Sequence, residues 1–293
     1  MTFPYISFMK SVRAVRPLTS IKPVMSAGHI ASVRSVVATA VIAVMAAIPV
    51  SAQNSVSERD ANLTLMTSKG WEWQINAGIN IGGAAPLGMP RELRKIHSYK
   101  PGLNTTIEGK VVKWWGADRK WGMSVGVKFE DKAMKVSADV KNYHTEIIRD
   151  NDRVSGYWTG YVNIDYGSTF LTIPVAADYR FNDRWRARAG LFWSYRLDGN
   201  FSGFVRDGYL RSGIPTGEKI VYTDGNQAAY EFNDDLRKSM WGAQIGGSWR
   251  AYRHFSVNAD LTYSFKNIFR SGFTTVKNTL HPLFFNIGFG YTF

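Results

Sequence analysis

The chain has no cysteine among its 293 residues. That excludes a disulfide scaffold and a thiolate metal site, and it suits a protein needing no oxidative staple. No glycine-rich phosphate loop is present; the glycines fall mostly on strand faces. His29, His97, His144 and His281 lie in the leader or in loops without metal-ligand spacing. No cofactor and no metal site are expected. The apolar run Ser35 to Ile48 falls short of the ~20 residues that cross a membrane as a helix. Acidic residues are scarce, with 23 against 36 Lys and Arg, for a formal charge of +13. The basic residues are scattered rather than massed on a helix, which argues against nucleic acid. They suit a surface facing anionic lipid or lipopolysaccharide phosphates.

Lys10, Arg13, Arg16, Lys22 and Arg34 precede the Ser35–Ile48 run, which is followed by Pro49 and V-S-A before Gln53. A basic n-region, a short apolar h-region and a small-x-small ending make a secretory signal peptide cleaved near Ala52. The n-region is long, so Met25 is an alternative start. Removing those five charges would leave +8 of the +13. The expected organisation is a signal peptide over 1–52, a short periplasmic lead-in over 53–70 and one domain over 71–293.

Within that domain the dominant signal is a period of two, which places successive side chains on opposite faces of a strand. The segment Leu283–Phe293 shows it best. Leu283, Phe285, Ile287, Phe289, Tyr291 and Phe293 share one face, opposite Asn286, Gly288, Gly290 and Thr292. Similar strands are predicted for Trp71–Ile81, Leu103–Val112 (the weakest), Trp121–Glu130, Leu171–Phe181, Trp185–Leu197, Trp241–Arg250 and Phe255–Lys266. Pro174 cannot donate to a ladder and predicts a bulge. Asp131–Ser168 alternates only in part, so its strand can extend further, and Asp198–Ser239 reads as the longest irregular region.

About eight segments of roughly ten residues match the length a tilted strand needs to cross a bilayer. Connections alternate between long and short. Trp71, Trp73, Trp114, Trp115, Trp121, Trp185 and Trp249 fall at the short-turn ends, whereas Trp193 and Trp241 fall toward the long loops. Two aromatic girdles around an aliphatic zone match two lipid–water interfaces. The fold class predicted is all-β: a transmembrane antiparallel up-and-down barrel of about eight strands, with short periplasmic turns and long extracellular loops.

The signal peptide, the eight alternating strands and the terminal Y-T-F resemble the small outer-membrane β-barrel proteins, including the porin-family, OmpA-like and PorT-like barrels of Bacteroidetes-type bacteria. The resemblance spans Trp71 to Phe293 and implies the outer membrane of a Gram-negative bacterium. It implies that Tyr291 and Phe293 form the signal read by the barrel-assembly machinery. It also raises an accessory role in a secretion apparatus. The chain ends on a strand, so the peptidoglycan-binding domain of OmpA-type relatives is not expected.

Residues opposite the lipid face fill the lumen, which in an eight-stranded barrel has room for side chains but not for a wide channel. The predicted charge network comprises Glu72, Glu108, Lys110, Lys128, Asp178, Arg180, Arg186, Arg188, Arg250 and Asp260, joined by Glu130, Arg196 and Lys266. Buried opposite charges should pair. The leading reading is a non-enzymatic structural or binding protein acting through its loops; the alternative is a narrow, arginine-lined porin. His254 and Ser256 loosely resemble lipid A deacylase barrels, but no carboxylate is placed to orient the histidine. Arg91, Arg94, Lys95, His97 and Lys100 make a basic first loop suited to lipopolysaccharide phosphates. Tyr157, Trp158, Tyr209 and Tyr222 are expected as exposed loop aromatics available to a protein partner.

Overall fold

The computed structural model describes residues 69–86, 90–149, 152–276 and 279–293; the expected signal peptide and nearly all of the lead-in lie outside them. Ten strands follow in order: β1 (Trp71–Pro86), β2 (Leu93–Pro101), β3 (Asn104–Trp115), β4 (Trp121–Arg149), β5 (Asp152–Arg180), β6 (Trp185–Ser212), β7 (Lys219–Glu231), β8 (Ser239–Tyr252), β9 (Phe255–Ser264) and β10 (Leu280–Thr292). Eight of them close an antiparallel ring, β1-β3-β4-β5-β6-β8-β9-β10 and back to β1. The other two lie beyond the long-loop end of the ring, β2 against β4 and β7 against β6.

Alternation in the ring produces an exposed apolar belt. On β4, Trp121, Met123, Val125, Val127 and Phe129 point outward, while Ser124, Lys128 and Glu130 are buried inside. Trp185 and Trp249 pair across β6 and β8 near the short turns, and Trp193 pairs with Trp241 near the opposite end. The ten steps from Trp185 to Tyr195, at about 3.3 Å each, give about 33 Å of strand. Tilted as in small barrels, that covers the ~25 Å height of a membrane barrel's apolar band. Where β1 meets β10 the inward positions are crowded: a Cβ on Gly78 would stand 2.5 Å from the Ile287 carbonyl oxygen. Only a residue without a side chain fits that close approach.

Three strands run far past the belt: β4 and β5 have 29 residues each and β6 has 28. Residues 131–149 and 152–168 therefore continue β4 and β5 as one antiparallel pair. Asp198–Ser239 is a correction to the irregular region expected, since most of it is the rest of β6 together with β7, a short 3-10 turn and the start of β8. The apolar positions change faces at the edge of the belt. Beyond Phe129 the outward row of β4 reads Asp131, Ala133, Lys135, Ser137 and Asp139, while its inward row becomes Met134, Val136, Ala138 and Val140. On the outside Lys135 pairs with Asp165 of β5 at 2.6 Å. Inside, Trp158, Tyr166, Phe201, Val205 and Leu210 are almost completely buried. The polarity reverses because the outer surroundings change from lipid to water, which makes the interior the place for apolar side chains.

Trp158 is thus a correction to the exposed aromatics expected: it is fully buried, donates its indole N–H to the Tyr161 carbonyl at 3.2 Å and packs against Tyr222. Tyr157, Tyr209 and Tyr222 are half-buried. Trp158→Ala should cost about 3–5 kcal/mol of local stability. Hydrogen exchange should show faster amide exchange in the outer halves of β5 and β6 and unchanged protection in the ring.

Candidate functional site

The enclosed polar lumen is the site that the fold builds with most of its charged residues. Its inward side chains come from all eight ring strands, one on every second residue. Three ion-pair centres stack along it. Nearest the short turns, Glu72 of β1 accepts from Arg186 and Gln74, from Arg180 at 3.3 Å and from the Trp114 indole at 3.2 Å. The Arg180 and Arg186 guanidinium groups lie over the Trp114 ring, 4.2 and 5.2 Å from its centroid.

Trp114 is a correction. The girdle expected at the lipid interface contained it, but it is buried in the lumen, because the alternation of β3 puts Trp115 outside and Trp114 inside. The other expected girdle residues, Trp71, Trp73, Trp115, Trp121, Trp185, Trp193, Trp241 and Trp249, are all exposed on the outward face. Tyr291 and Phe293 stack edge-to-face at 5.1 Å, and the Phe293 amide donates to the Trp73 carbonyl.

At mid-height Arg188 of β6 clasps Asp260 of β9 through two nitrogens, the Nε contact being 2.5 Å. Asn76 donates to Glu108 at 2.7 Å and accepts from Asn258 at 3.0 Å. Lys110 and Asp178 are buried beside this centre and, among the described residues, form no direct salt bridge. Arg250 is half-buried near the short-turn mouth, also without a direct salt bridge among the described residues. A mid-height cavity of about 20 Å³ lies among these side chains, room for roughly one water molecule.

At the upper end Glu130 accepts from Lys128 at 3.0 Å, Lys132 at 2.9 Å, Thr172 at 2.7 Å and Asn80 at 3.3 Å. The Lys132 ammonium also lies 5.5 to 5.6 Å from the ring centroids of Phe170, Phe192 and Phe284. These three buried rings form an aromatic septum between the polar lumen and the apolar core above it. Lys132 escaped the sequence reading because β4 was followed only to Glu130; carrying the same period two residues further would have found it.

Other expectations fare differently. Lys266 lies past the end of β9 and is exposed near the Trp241 ring, so it is not a lumen residue. Arg196 is half-buried and donates to the Leu236 and Arg237 carbonyls. His254 hydrogen-bonds the Thr292 carbonyl at 2.7 Å and stacks on Tyr291 at 5.4 Å, so its partner is a backbone oxygen rather than a carboxylate. Around the short-turn mouth a cavity of about 260 Å³ is bordered by Arg119, Arg180, Arg250 and Arg253. The basic first loop is largely strand β2, with His97 paired to Asp139 at 2.8 Å. Among the described residues no group of three His, Asp or Glu side chains is placed to hold a metal ion.

The profile of the outer membrane protein beta-barrel domain family matches residues 51–270. No curated protein sequence matches significantly. Among solved structures, Ail, the attachment invasion locus protein of Yersinia pestis, is similar at 11% identity over 76% of this chain and 97% of that one, with a TM-score of 0.34. The outer membrane protein OprG from Pseudomonas aeruginosa is similar at 11% identity over 77% and 97%, with a TM-score of 0.33.

Replacing Arg188 by Met leaves Asp260 buried without its partner, a change that should cost about 3–5 kcal/mol. The double variant Arg188→Met/Asp260→Leu should recover most of that loss. Urea unfolding of the folded barrel in detergent, followed by tryptophan fluorescence, measures both.

Proposed function

The chain belongs to the outer membrane protein beta-barrel domain family, and on that premise we propose that it is a filled, non-conducting barrel that acts as a structural and binding protein through its extracellular face. The family implies the outer membrane of a Gram-negative bacterium, and on this reading the short turns face the periplasm, as is usual for such barrels. The observation that carries the reading is the closure of the lumen. Three ion-pair centres stand along it, the mid-height cavity holds about 20 Å³, and Phe170, Phe192 and Phe284 stand around Lys132 above them. An ion crossing the barrel would have to separate buried charge pairs, at a cost of several kcal/mol. The extension formed by β2, β7 and the outer halves of β4 to β6 then supplies the working surface. Its partners, on this reading, are outer-leaflet lipid and lipopolysaccharide phosphates met by the exposed Arg91, Arg94, Lys95 and Lys100. The barrel-assembly machinery would read Tyr291 and Phe293.

The arginine-bordered cavity at the periplasmic mouth favours a second reading, a narrow gated pore for small anions. Single-channel recording in planar bilayers decides between them. Protein whose folding is shown by heat-shifted gel mobility should leave the bilayer silent. Discrete conductance steps that disappear in Arg188→Ala or Arg250→Ala would establish the pore instead.

A further inference from the structure

The ring is not continued intact above the belt. Up to the Asn80–Asn104 pair, β1 is flanked by β10 on one side and β3 on the other. Beyond it β3 has ended. The continuation of β1, residues 81 to 86, stays paired with β10 alone, while β2 takes up the position beside β4, from Met134 to Val140. Among the described residues no ladder joins β1 to β2. Across this gap the Tyr99 hydroxyl donates to the Gly82 carbonyl at 2.6 Å, and the Tyr99 ring lies beside Gly83. Pro86 and Pro101, which lack an N–H, sit at the ends of the two parted strands.

Behind the gap lies a cavity of about 440 Å³, within the ~300–1,000 Å³ range of small-molecule sites. Met134, Val136 and Ala138 of β4 and Ile164 of β5 form its back wall. Among the described residues lining it, Glu92 alone is charged. Burial, aided by the Glu92 carboxylate, raises the Tyr143 phenol above its ordinary value, so this lining group stays neutral too.

The height of the opening identifies what can enter. Leu283 lines the cavity and also belongs to the outward row of β10, 44% exposed, directly opposite Tyr263 of the upper aromatic girdle. Ile81, 43% exposed, lies next to the gap on the same outward face. The mouth therefore opens sideways, at the boundary between acyl chains and head groups of the outer leaflet. β2, which forms one lip, carries exposed Arg94, Lys95 and Lys100, suited to an anionic head group.

We propose that the gap between β1 and β2 is a lateral binding site that takes an acyl chain of an anionic outer-leaflet lipid directly from the membrane. On this proposal the lipid is held in the cavity rather than passed down the lumen. The proposal rests on the outer-membrane placement and is independent of whether the lumen conducts.

The full chain, purified from outer membranes, is reconstituted in nanodiscs of phosphatidylglycerol carrying a diazirine near the end of one acyl chain. After illumination, labelled residues are mapped by mass spectrometry. Labels on Met134, Val136 or Ile164 are expected, besides those on the belt residues Phe285 and Ile287. Ala138→Trp, which fills the cavity, should lower the inner labels at least tenfold and leave the belt labels unchanged. Leu280→Trp on the opposite wall repeats the test if the first variant fails to fold, as judged by heat-shifted mobility. Labels confined to the belt, or inner labels unaffected by a folded filling variant, would overturn the site. Inner labelling by soluble diazirine-dodecanoate but not by the membrane lipid would overturn the lipid as its occupant.

Discussion

Inside a bilayer no water is available to the peptide group, so every N–H and C=O of a spanning segment must find its partner in the protein. The β1–β10 ladder, running from Gln74–Thr292 to Pro86–Leu280, meets that requirement by closing the sheet into a ring. The other features follow from this closure. A closed ring fixes which side chains face lipid, so one row of each strand must be apolar. A ring of only eight strands has an interior just wide enough for side chains. Charges placed there have to satisfy one another, as Glu72, Asp260 and Glu130 do with their Arg and Lys partners.

The same constraint explains why the wall is allowed to part where it does. At the head-group level, water can hydrogen-bond an open strand edge, so β1 and β2 can separate there at little cost. One turn lower the same gap would expose unpaired backbone to hydrocarbon. The reversal of β4 from Phe129 outward and Glu130 inward to Lys135 outward and Met134 inward marks the same boundary. So does the Asp131 carboxylate, which accepts from Thr105 at 3.1 Å and from Thr169 at 2.7 Å on the two flanking strands. On β3, β4 and β5, polar cross-strand contacts begin where the apolar row ends.

The transmembrane ring was legible in the sequence because a lipid-facing row and a polar lumen row give a clean period of two, as in Trp121 to Glu130. The extension was legible only in part: Asp131–Ser168 pointed to a longer strand but not to which of its faces turns inward, and the reason is physical. Alternation shows that two faces differ, but not which face is inside, and that assignment depends on the surrounding solvent. Past Asp131 the solvent changes while the strand continues, so Met134, Val136, Ala138 and Val140 had the look of partial alternation in a loop. Trp158 was read as exposed for the same reason. Trp114 failed differently: two adjacent tryptophans occupy opposite faces of one strand, and only one of them can belong to a girdle. Alternation marks charged residues on the polar face of each strand, but their pairing was not legible, since it depends on which strands stand across the barrel. Glu72 and Arg186 are 114 residues apart in the chain.

The septum gives the molecule its division of labour. Glu130 already accepts from four side chains, and Lys132 combines its pairing to that carboxylate with the faces of three phenylalanines. Cation–π contacts of a desolvated ammonium are worth up to about 2 kcal/mol, and breaking a buried ion pair costs about 3–5 kcal/mol. Opening a passage at this level requires both losses together, and on either side of it lie compartments of opposite character. Below is a polar, charge-lined lumen; above is an apolar space bordered by the wall between β1 and β2. On the proposed lipid-site reading, a barrel built this way exchanges material with the outer leaflet rather than with the periplasm.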